Sequence, residues 1–251
     1  MIKKAVFILI FLAVAVSKAQ SADSLFTAAN ALYQQEKYAK ALDLYKKIES
    51  LDIQSDALYY NMANANYKLN RIAPAIYYYE KALQLNPGNE DAEFNLGFAK
   101  RMALDNIEPL PKTFSQRIDE SLVLKLSDNQ WAWTGVVLLF SFAVLFLLYH
   151  FSYSTSRKRL YFITAGISVF LALLSLGFAY RNRSYQQANT YAIVFAQKAD
   201  VKTAPTLTSE ISFELHEGTK VKVVEKLDNW VKIKIADGKI GWMVADEIKD
   251  L

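Results

Sequence analysis

The sequence predicts a multidomain membrane protein with three parts: an all-α region of helical repeats, a two-helix transmembrane hairpin and a small all-β barrel. Three observations predict this fold class: two stretches that match each other at a constant shift, two uncharged apolar segments in mid-chain, and alternating polar and apolar residues near the end. Of the 251 residues, 53% are hydrophobic, and this excess is concentrated in a few segments, as expected for a membrane protein.

The start of the chain, residues 1–19, has the order of a secretory signal. Lys3 and Lys4 precede an apolar run, and small residues surround a cleavage point after Ala19. We therefore predict a signal peptide over residues 1–19. An uncleaved anchor helix is the alternative, and in either case the segment that follows is exported.

Residues 22–107 contain a repeated unit. Ala29 recurs as Ala63 and then, at the same spacing, as Gly97, and the third copy ends after its first helix. A fixed period of about 34 residues is typical of helix-turn-helix units, which bury their apolar faces only by stacking on one another. Small residues at the recurring position let paired helices approach closely. We predict two full repeats and the first helix of a third.

The second copy resembles the tetratricopeptide repeat. Its run from Ala75 through Tyr79 and Leu83 to Pro87 matches the second helix of that repeat, with the proline ending the helix. The resemblance implies that the first helix of each repeat lines a concave surface. The matching positions form a candidate peptide-binding groove, which consists of Phe26, Asn30, Tyr33, Tyr60, Asn61, Asn64, Tyr67, Phe94, Asn95 and Phe98.

The side chains of this candidate groove are aromatic and amide. Asn30 and Asn64 occupy the same position in successive copies, as do Asn61 and Asn95, so the amides should form a ladder that can hydrogen-bond an extended peptide backbone. The lysines and arginines with which tetratricopeptide proteins clamp a terminal carboxylate are absent from the corresponding positions. We therefore expect a peptide held by its main chain and apolar side chains. The alternative is that the amides brace one helix against the next.

Two apolar segments without charges, residues 131–149 and 160–180, predict transmembrane helices. Each is near the roughly 20 residues that a helix needs to cross a membrane. A loop of residues 150–159 joins them. Neither segment has a strong pattern of small residues for helix association, and Gly166 and Gly177 are the positions at which we expect a close approach.

The charges beside the two segments predict their orientation. Arg157, Lys158 and Arg159 make the joining loop basic, which places it in the cytoplasm and both flanking regions outside. Arg181 and Arg183 weaken the charge argument, because they would lie on the outer side. Export of the repeats by the predicted signal also places the joining loop in the cytoplasm. The repeats and the tail are therefore both expected outside.

Residues 108–130 link the repeats to the first span. Two prolines near the start stop helix propagation and stiffen the linker. Ile118, Leu122 and Leu126 then follow at a spacing of four, which predicts a short amphipathic helix. This helix would lie against the repeats or on the bilayer surface, and a simple stalk remains the alternative.

The pattern of residues 191–251 predicts β structure throughout. Residues 220–223 and 231–235 alternate polar and apolar side chains, and Asp-Asn at 228–229 and Asp-Gly at 237–238 are turn signals. About five short strands in such a segment indicate a small barrel.

The same segment resembles the bacterial SH3 domain. The resemblance rests on the Ala-Pro pair at 204–205 and on the runs 216–221, 230–233 and 237–243. It implies a module that binds cell-wall peptides or contacts other proteins, without chemistry. His216 precedes a turn glycine and is expected to face solvent.

The residue types argue against catalysis and against nucleic-acid binding. The chain has no cysteine, and its two histidines, His150 and His216, lie in different regions without a neighbour at metal-ligand spacing. We therefore assign no catalytic, cofactor-binding or metal-binding residues. A net charge of +4 with dispersed basic residues does not indicate nucleic acid as a partner.

The order of signal, tetratricopeptide repeats, two spans with a basic loop and an SH3-like tail resembles the BatE family of the Bacteroides aerotolerance (Bat) cluster. The resemblance implies a non-enzymatic scaffold in the bacterial inner membrane, with both modules in the periplasm, in contact with lipid. It implies partners among sister Bat membrane proteins with von Willebrand A domains and a MoxR-type ATPase. The alternatives are a cell-envelope anchor that binds peptidoglycan through the SH3-like tail and an assembly chaperone for exported proteins.

Overall fold

The computed structural model describes residues 22–251, so the predicted signal at 1–19 lies outside the described residues. The chain divides into two compact units. Of the described residues, the first unit combines 22–85 with Asn89–Pro109 and Tyr191–Leu251, and therefore contains both the helical repeats and the tail. The second unit consists of Asn86–Gly88 and Leu110–Thr190. The predicted fold class, with repeat helices, two long apolar helices and a C-terminal antiparallel sheet, is confirmed.

The repeat region consists of antiparallel helix pairs. Local signals set the helix boundaries: the side chains of Ser55 and Asn89 accept hydrogen bonds from the backbone N–H groups of the first turns of their helices. Glu36 and Asn70, at matching positions of the two repeats, both adopt positive φ between the helices of a pair. The helices are α1 (22–34), α2 (Tyr38–Glu49), α3 (Asp56–Lys68), α4 (Ile72–Leu85) and α5 (Glu90–Met102).

The recurring small residues are buried where two helices pack. Ala29 and Ala63 are fully buried, and Tyr45 and Tyr79 fill the space around them. Gly97, the third member of the series, differs: among the described residues, a Cβ added there would meet only the Arg101 side chain, at 3.9 Å. The close approach that we expected at Gly97 is therefore absent, because α5 has no second helix of its own repeat beside it.

The tail forms one antiparallel sheet of seven strands, two more than the sequence predicted. Its spatial order is β3-β2-β6-β5-β4-β1-β7. Asp228 and Gly238, in the two predicted turns, both have positive φ. The strands are β1 (Tyr191–Val194), β2 (Lys198–Lys202), β3 (Ile211–His216), β4 (Lys220–Leu227), β5 (Trp230–Lys234), β6 (Ile240–Val244) and β7 (Ile248–Asp250).

The sheet bends around its own apolar core. Buried side chains from strands β1 to β6 meet in this core, among them Val201, Ile233 and Met243. Strand β6 crosses β2 at Gly241, where an added Cβ would lie 2.5 Å from Val201 Cγ1 and 3.0 Å from the carbonyl oxygen of Lys202. The glycine is therefore required by the close approach of two backbones.

The second unit consists of the short helix α6 (Phe114–Ser121) and the long helices α7 (Asp128–Phe151) and α8 (Thr155–Ala188). By length and composition, α7 and α8 could each span a membrane. Both are longer than the predicted spans, so the loop of 150–159 shrinks to residues 152–154. Arg157, Lys158 and Arg159 consequently lie in the first turns of α8.

Small side chains of α8 form the seam between the two long helices. Ser168 Oγ donates a hydrogen bond to the carbonyl oxygen of Leu138 at 2.7 Å, and Ser175 Oγ donates to that of Trp131 at 2.6 Å. The buried seam residues are Ala165, Ser168, Ala172 and Ser175, which alternate by three and four positions. The expectation of a close approach at Gly166 and Gly177 was wrong: apart from the adjacent residues and the backbone of α8 itself, no atom of the described residues lies within 4 Å of a Cβ added at either glycine.

Candidate functional site

The ten candidate groove residues lie on α1, α3 and α5, the first helices of the three copies. We call this surface the repeat face. Eight of these side chains are partly buried, and the structure uses several of them to join one helix to the next. Phe94 and Phe98 on α5 differ, since 68% and 39% of their surfaces are exposed.

Two equivalent hydrogen-bonded groups, related by one repeat, hold the repeat face together. In the first, Asn30 Oδ1 accepts from the Tyr45 hydroxyl at 2.6 Å and from Asn61 Nδ2 at 3.0 Å. The bonds connect α1 to α2 within the repeat and to α3 of the next repeat. Asn30 and Asn61 thus brace one helix against the next, which is the alternative use of the amides stated above.

The second group repeats this arrangement one unit further on. Asn64 Oδ1 accepts from the Tyr79 hydroxyl at 2.5 Å and from Asn95 Nδ2 at 3.1 Å, and Asn95 Nδ2 also donates to the Tyr60 hydroxyl at 3.2 Å. The Nδ2 groups of Asn30 and Asn64 take no part in these bonds. Each can donate to a backbone carbonyl of a peptide without disturbing the brace.

Tyr45 and Tyr79 are neutral hydrogen-bond donors in these groups. Burial, followed by the nearby Tyr33 hydroxyl, raises the pKa of Tyr45 to about 12, although the Asn61 amide acts in the opposite direction. Burial likewise raises the pKa of Tyr79. Both hydroxyls therefore keep their protons at neutral pH and keep the asparagine oxygens occupied.

The exposed end of the repeat face is aromatic. The Phe94 and Phe98 rings meet edge to face with centroids 4.8 Å apart, and the Arg101 guanidinium lies 4.3 Å from the Phe98 centroid. Aromatic residues and arginine are enriched at the centre of protein–protein interfaces.

The tail packs on the repeats through a contact that the sequence did not predict. Its charged centre is Glu80 of α4, a buried carboxylate whose Oε1 lies 2.8 Å from Lys100 Nζ of α5 and whose Oε2 lies 2.6 Å from Lys220 Nζ of β4. Burial by itself would raise the pKa of Glu80, but Lys220 and Lys100 outweigh it and hold the pKa below its usual value.

A second polar part of this contact is formed by Asp105, in the segment after α5. Asp105 Oδ2 accepts from the backbone N–H of His216 at 2.7 Å and from Thr219 Oγ1 at 2.6 Å, and Oδ1 lies 2.7 Å from His216 Nδ1. The carboxylate thus closes the turn between β3 and β4. The expectation that His216 faces solvent was wrong, because this side chain is partly buried against Asp105.

Apolar side chains surround these polar groups. Gly218, at φ +89°, lies so close to α4 that an added Cβ would be 2.9 Å from Ile76 Cδ1. Ile193 of β1 is fully buried in the core of the repeat helices, and the Tyr77 and Phe195 rings meet with centroids 5.8 Å apart. Arrays of helical repeats need caps at their ends. Here a β domain covers part of the last complete helix pair.

Acid should weaken the contact between the modules. The pKa of Glu80 is lowered from its usual value of 4.5, so its contribution to stability is present above that value and is lost as pH falls through the folded-state pKa. The pKa of Asp105 is also lowered, so this carboxylate acts in the same direction from 3.8 downward. We expect stability, measured by hydrogen exchange of β1 and α4, to fall steeply below about pH 4.5. The E80Q variant should show a shallower fall, and an equal acid dependence in both proteins would contradict this.

Within residues 22–251, His, Asp and Glu side chains form no group of three or more that could hold a metal ion. The titratable side chains with the clearest geometry, Glu80 and Asp105, are each bonded to two neighbouring residues and serve the contact between the modules.

Comparisons with known proteins match parts of both modules. The family model of the tetratricopeptide repeat matches residues 57–89, which contain α4 and nearly all of α3. The family model of the bacterial SH3 domain matches residues 198–249.

Whole-chain comparisons add little to these matches. A comparison with curated proteins finds no match. Among solved structures, the crystal structure of MamA is similar over 70% of this chain and 86% of that chain, with 15% identity. Its TM-score of 0.32 is too low to support an argument about fold or function. The chain therefore combines a tetratricopeptide repeat with a bacterial SH3 domain, and both are typically non-catalytic interaction modules.

Proposed function

We propose that this protein is a non-enzymatic scaffold anchored in the bacterial inner membrane, whose repeat face holds an extended segment of a partner protein. The observation that carries the proposal is the repeat face itself. The Oδ1 atoms of Asn30 and Asn64 are occupied by the brace, whose bonds among the described residues do not use the Nδ2 groups of the same side chains, and the Phe94 and Phe98 rings are exposed. Main-chain carbonyls and apolar side chains are the ligand groups that such a surface complements.

The packing of the two modules supports the proposed topology. Of the described residues, 22–85, 89–109 and 191–251 belong to one compact unit, which requires the repeats and the tail to lie on the same side of a membrane. An even number of crossings between them meets this condition, and α7 and α8 supply two. Basic residues at the start of α8 favour the cytoplasm for the joining loop. The repeats and the SH3 domain would then both be periplasmic.

The charge objection to this topology is weaker than the sequence suggested. In this topology Arg181 lies on the outer side, where the positive-inside rule disfavours a cation. In the structure, Arg181 Nε and Nη2 donate to the two oxygens of Asp119 at 2.5 and 2.8 Å. Its charge is therefore compensated by a neighbouring carboxylate.

For the biological setting we propose a Bat-type aerotolerance or stress-resistance complex, on the resemblance to the BatE family. The partners would be sister Bat membrane proteins with von Willebrand A domains. Because the two modules form one body, partners bound to each of them would be held close together, and two weak sites could act at high effective concentration.

The first test is to purify the full-length protein from its own membranes in mild detergent and to identify the co-purifying proteins by mass spectrometry. A near-stoichiometric set of von Willebrand A membrane proteins would support the scaffold. Peptidoglycan fragments without such proteins would support the envelope anchor, for which the SH3 match is the motivating observation. Many substoichiometric exported proteins would indicate a chaperone.

The repeat face can be tested with variants that leave the asparagine brace intact. Replacing Phe94 and Phe98 by alanine removes exposed rings, so the fold should persist while partner binding falls by about 2 kcal/mol, or roughly 30-fold. Affinity is measured by titrating the co-purified partner onto the variant in nanodiscs. Leu104→Ala is the matched control, since Leu104 is 73% exposed but follows α5 and lies off the repeat face. Unchanged affinity in a folded double variant would exclude the repeat face as the binding site.

A further inference from the structure

Helix α6 exposes its apolar side. Phe114, Ile118 and Leu122 follow at a spacing of four and are 79%, 39% and 52% exposed. They project from one face of the helix and its C-cap, and we call them the α6 face. The residue that α6 buries is instead Asp119, a carboxylate. This is the reverse of the usual arrangement of an amphipathic helix on a soluble domain, which buries the apolar side.

The helix is fixed to α8 by an ion pair. Arg181 of α8 binds both oxygens of Asp119, and its Nη2 also donates to Ser115 Oγ at 3.3 Å. Bidentate pairs of arginine and carboxylate have a defined geometry. At its start, α6 has a capping box in which Thr113 and Gln116 bond each other's backbone N–H groups. The orientation of α6 against the hairpin is therefore set.

The turn after α6 is attached to both long helices. The carbonyl oxygen of the buried Val123 accepts from Trp131 Nε1 of α7 at 2.9 Å and from Asn182 Nδ2 of α8 at 3.2 Å. Asn182 Nδ2 also donates to the carbonyl oxygen of Leu126 at 2.8 Å. With both of its ends held, α6 cannot rotate to hide its apolar side, so the exposure of the α6 face is a fixed property of this unit.

We propose that the α6 face inserts into the surface of the phospholipid bilayer. The inference rests on the hairpin crossing a membrane, as proposed above. The contacts hold α6 and the turn after it beside Trp131 and Arg181, at one end of the uncharged segments of α7 and α8. Trp133 and Tyr180 are exposed at the same end, and such aromatic side chains are suited to the headgroup region. The α6 face thus continues the lipid-exposed apolar surface of the hairpin at the level of the headgroups. Helices of this kind enter the headgroup and acyl boundary by roughly 5–10 Å.

The chain has no cysteine, so single labels can be placed without background. Phe114→Cys and Ile118→Cys report on the α6 face, and Glu120→Cys reports on the opposite side of the helix. Phe140→Cys, an exposed position within α7, reports on the hairpin. Each full-length variant is labelled with an environment-sensitive fluorophore and reconstituted in nanodiscs of zwitterionic and anionic phospholipid. Quenchers are attached to lipids near the headgroup or near the chain end, and a soluble quencher probes water access.

We expect the labels at 114 and 118 to be quenched several-fold more by headgroup-level lipid quenchers than the label at 120, and to be shielded from the soluble quencher. The label at 140 should respond best to quenchers near the chain end. If the labels at 114 and 118 are accessible to water while the label at 140 is quenched by lipid, the inference about α6 is overturned but the proposed membrane anchor is not. Labels shielded from both quenchers would overturn it in favour of a protein occupant, such as a second copy. A water-accessible label at 140 would overturn both this inference and the proposed membrane anchor.

Discussion

Replacing Asp105 by alanine should detach the SH3 domain from the repeat helices. The carboxylate closes the turn between β3 and β4 through the His216 backbone, the His216 ring and Thr219. Hydrogen bonds to a charged group contribute about 1.5–3 kcal/mol each, and the His216 N–H would lose its acceptor. Because neighbouring bonds are not additive, we expect a total loss of about 3 kcal/mol in the free energy that holds the modules together.

Hydrogen exchange of the full-length variant in nanodiscs measures this effect. Protection should fall in β1 and along α4, on both sides of the contact, while the core strands of the sheet keep theirs. Glu108→Ala is the matched control, because it removes an exposed carboxylate from the same segment. If β1 and α4 are protected from hydrogen exchange equally well in Asp105→Ala and in Glu108→Ala, Asp105 does not hold the contact.

Replacing Gly241 by valine should unfold the SH3 domain itself. The first side-chain atom would already lie 2.5 Å from Val201 Cγ1 and 3.0 Å from the carbonyl oxygen of Lys202. The Val201 side chain can adjust, but the carbonyl belongs to the backbone of β2, which must move away from β6. Overpacking of this kind costs about 1–3 kcal/mol or more, and we expect a value at the upper end because two strands must separate.

The measurement is near-ultraviolet circular dichroism and tryptophan emission, since Trp230 and Trp242 lie in β5 and β6. Gly88→Val serves as control, because an added Cβ there meets only the Asn86 side chain at 3.6 Å within the described residues. Loss of the SH3 signal with intact helical circular dichroism is the expected result. A native signal in Gly241→Val would show that β2 can accommodate the side chain.

Features with a short-range pattern could be predicted from the sequence. The fixed repeat period marks the helix pairs because stacking requires small side chains at fixed places, and Ala29 and Ala63 are buried accordingly. Strands β4 and β5 follow from alternation and from turn residues that adopt positive φ, such as Asp228. The strands β1 and β7, with four and three residues, are too short to give a clear alternation.

The contact between the modules could not be predicted in this way. Asp105 and His216 are 111 residues apart, and Glu80 and Lys220 are 140 apart, so no local period connects them. Glu80 also lies in a helix of tetratricopeptide type, where a charged residue is ordinarily expected on the surface. The role of His216 depends entirely on which segment packs against its turn.

The seam of the hairpin was present in the sequence and was missed. Alternating steps of three and four from Ala165 to Ser175 are the pattern of a closely packed helix pair. Glycine positions alone do not reveal this seam. Serine side chains also permit a close contact between helices, because their hydroxyls bond to the backbone of the partner helix.

The first unit is built from residues that precede the hairpin and residues that follow it, and this order has a consequence for biosynthesis. Translation delivers α4 well before β1, and all of residues 110–190 must be made in between. Until then, the surface of α4 that receives Gly218 and Ile193 has no cover from the tail. If the hairpin spans a membrane as proposed, a chain inserted with one crossing instead of two would place Asp105 and His216 on opposite sides, and they could not form their hydrogen bonds. In the proposed topology, the contact between the modules can therefore form only in chains whose α7 and α8 both cross the membrane.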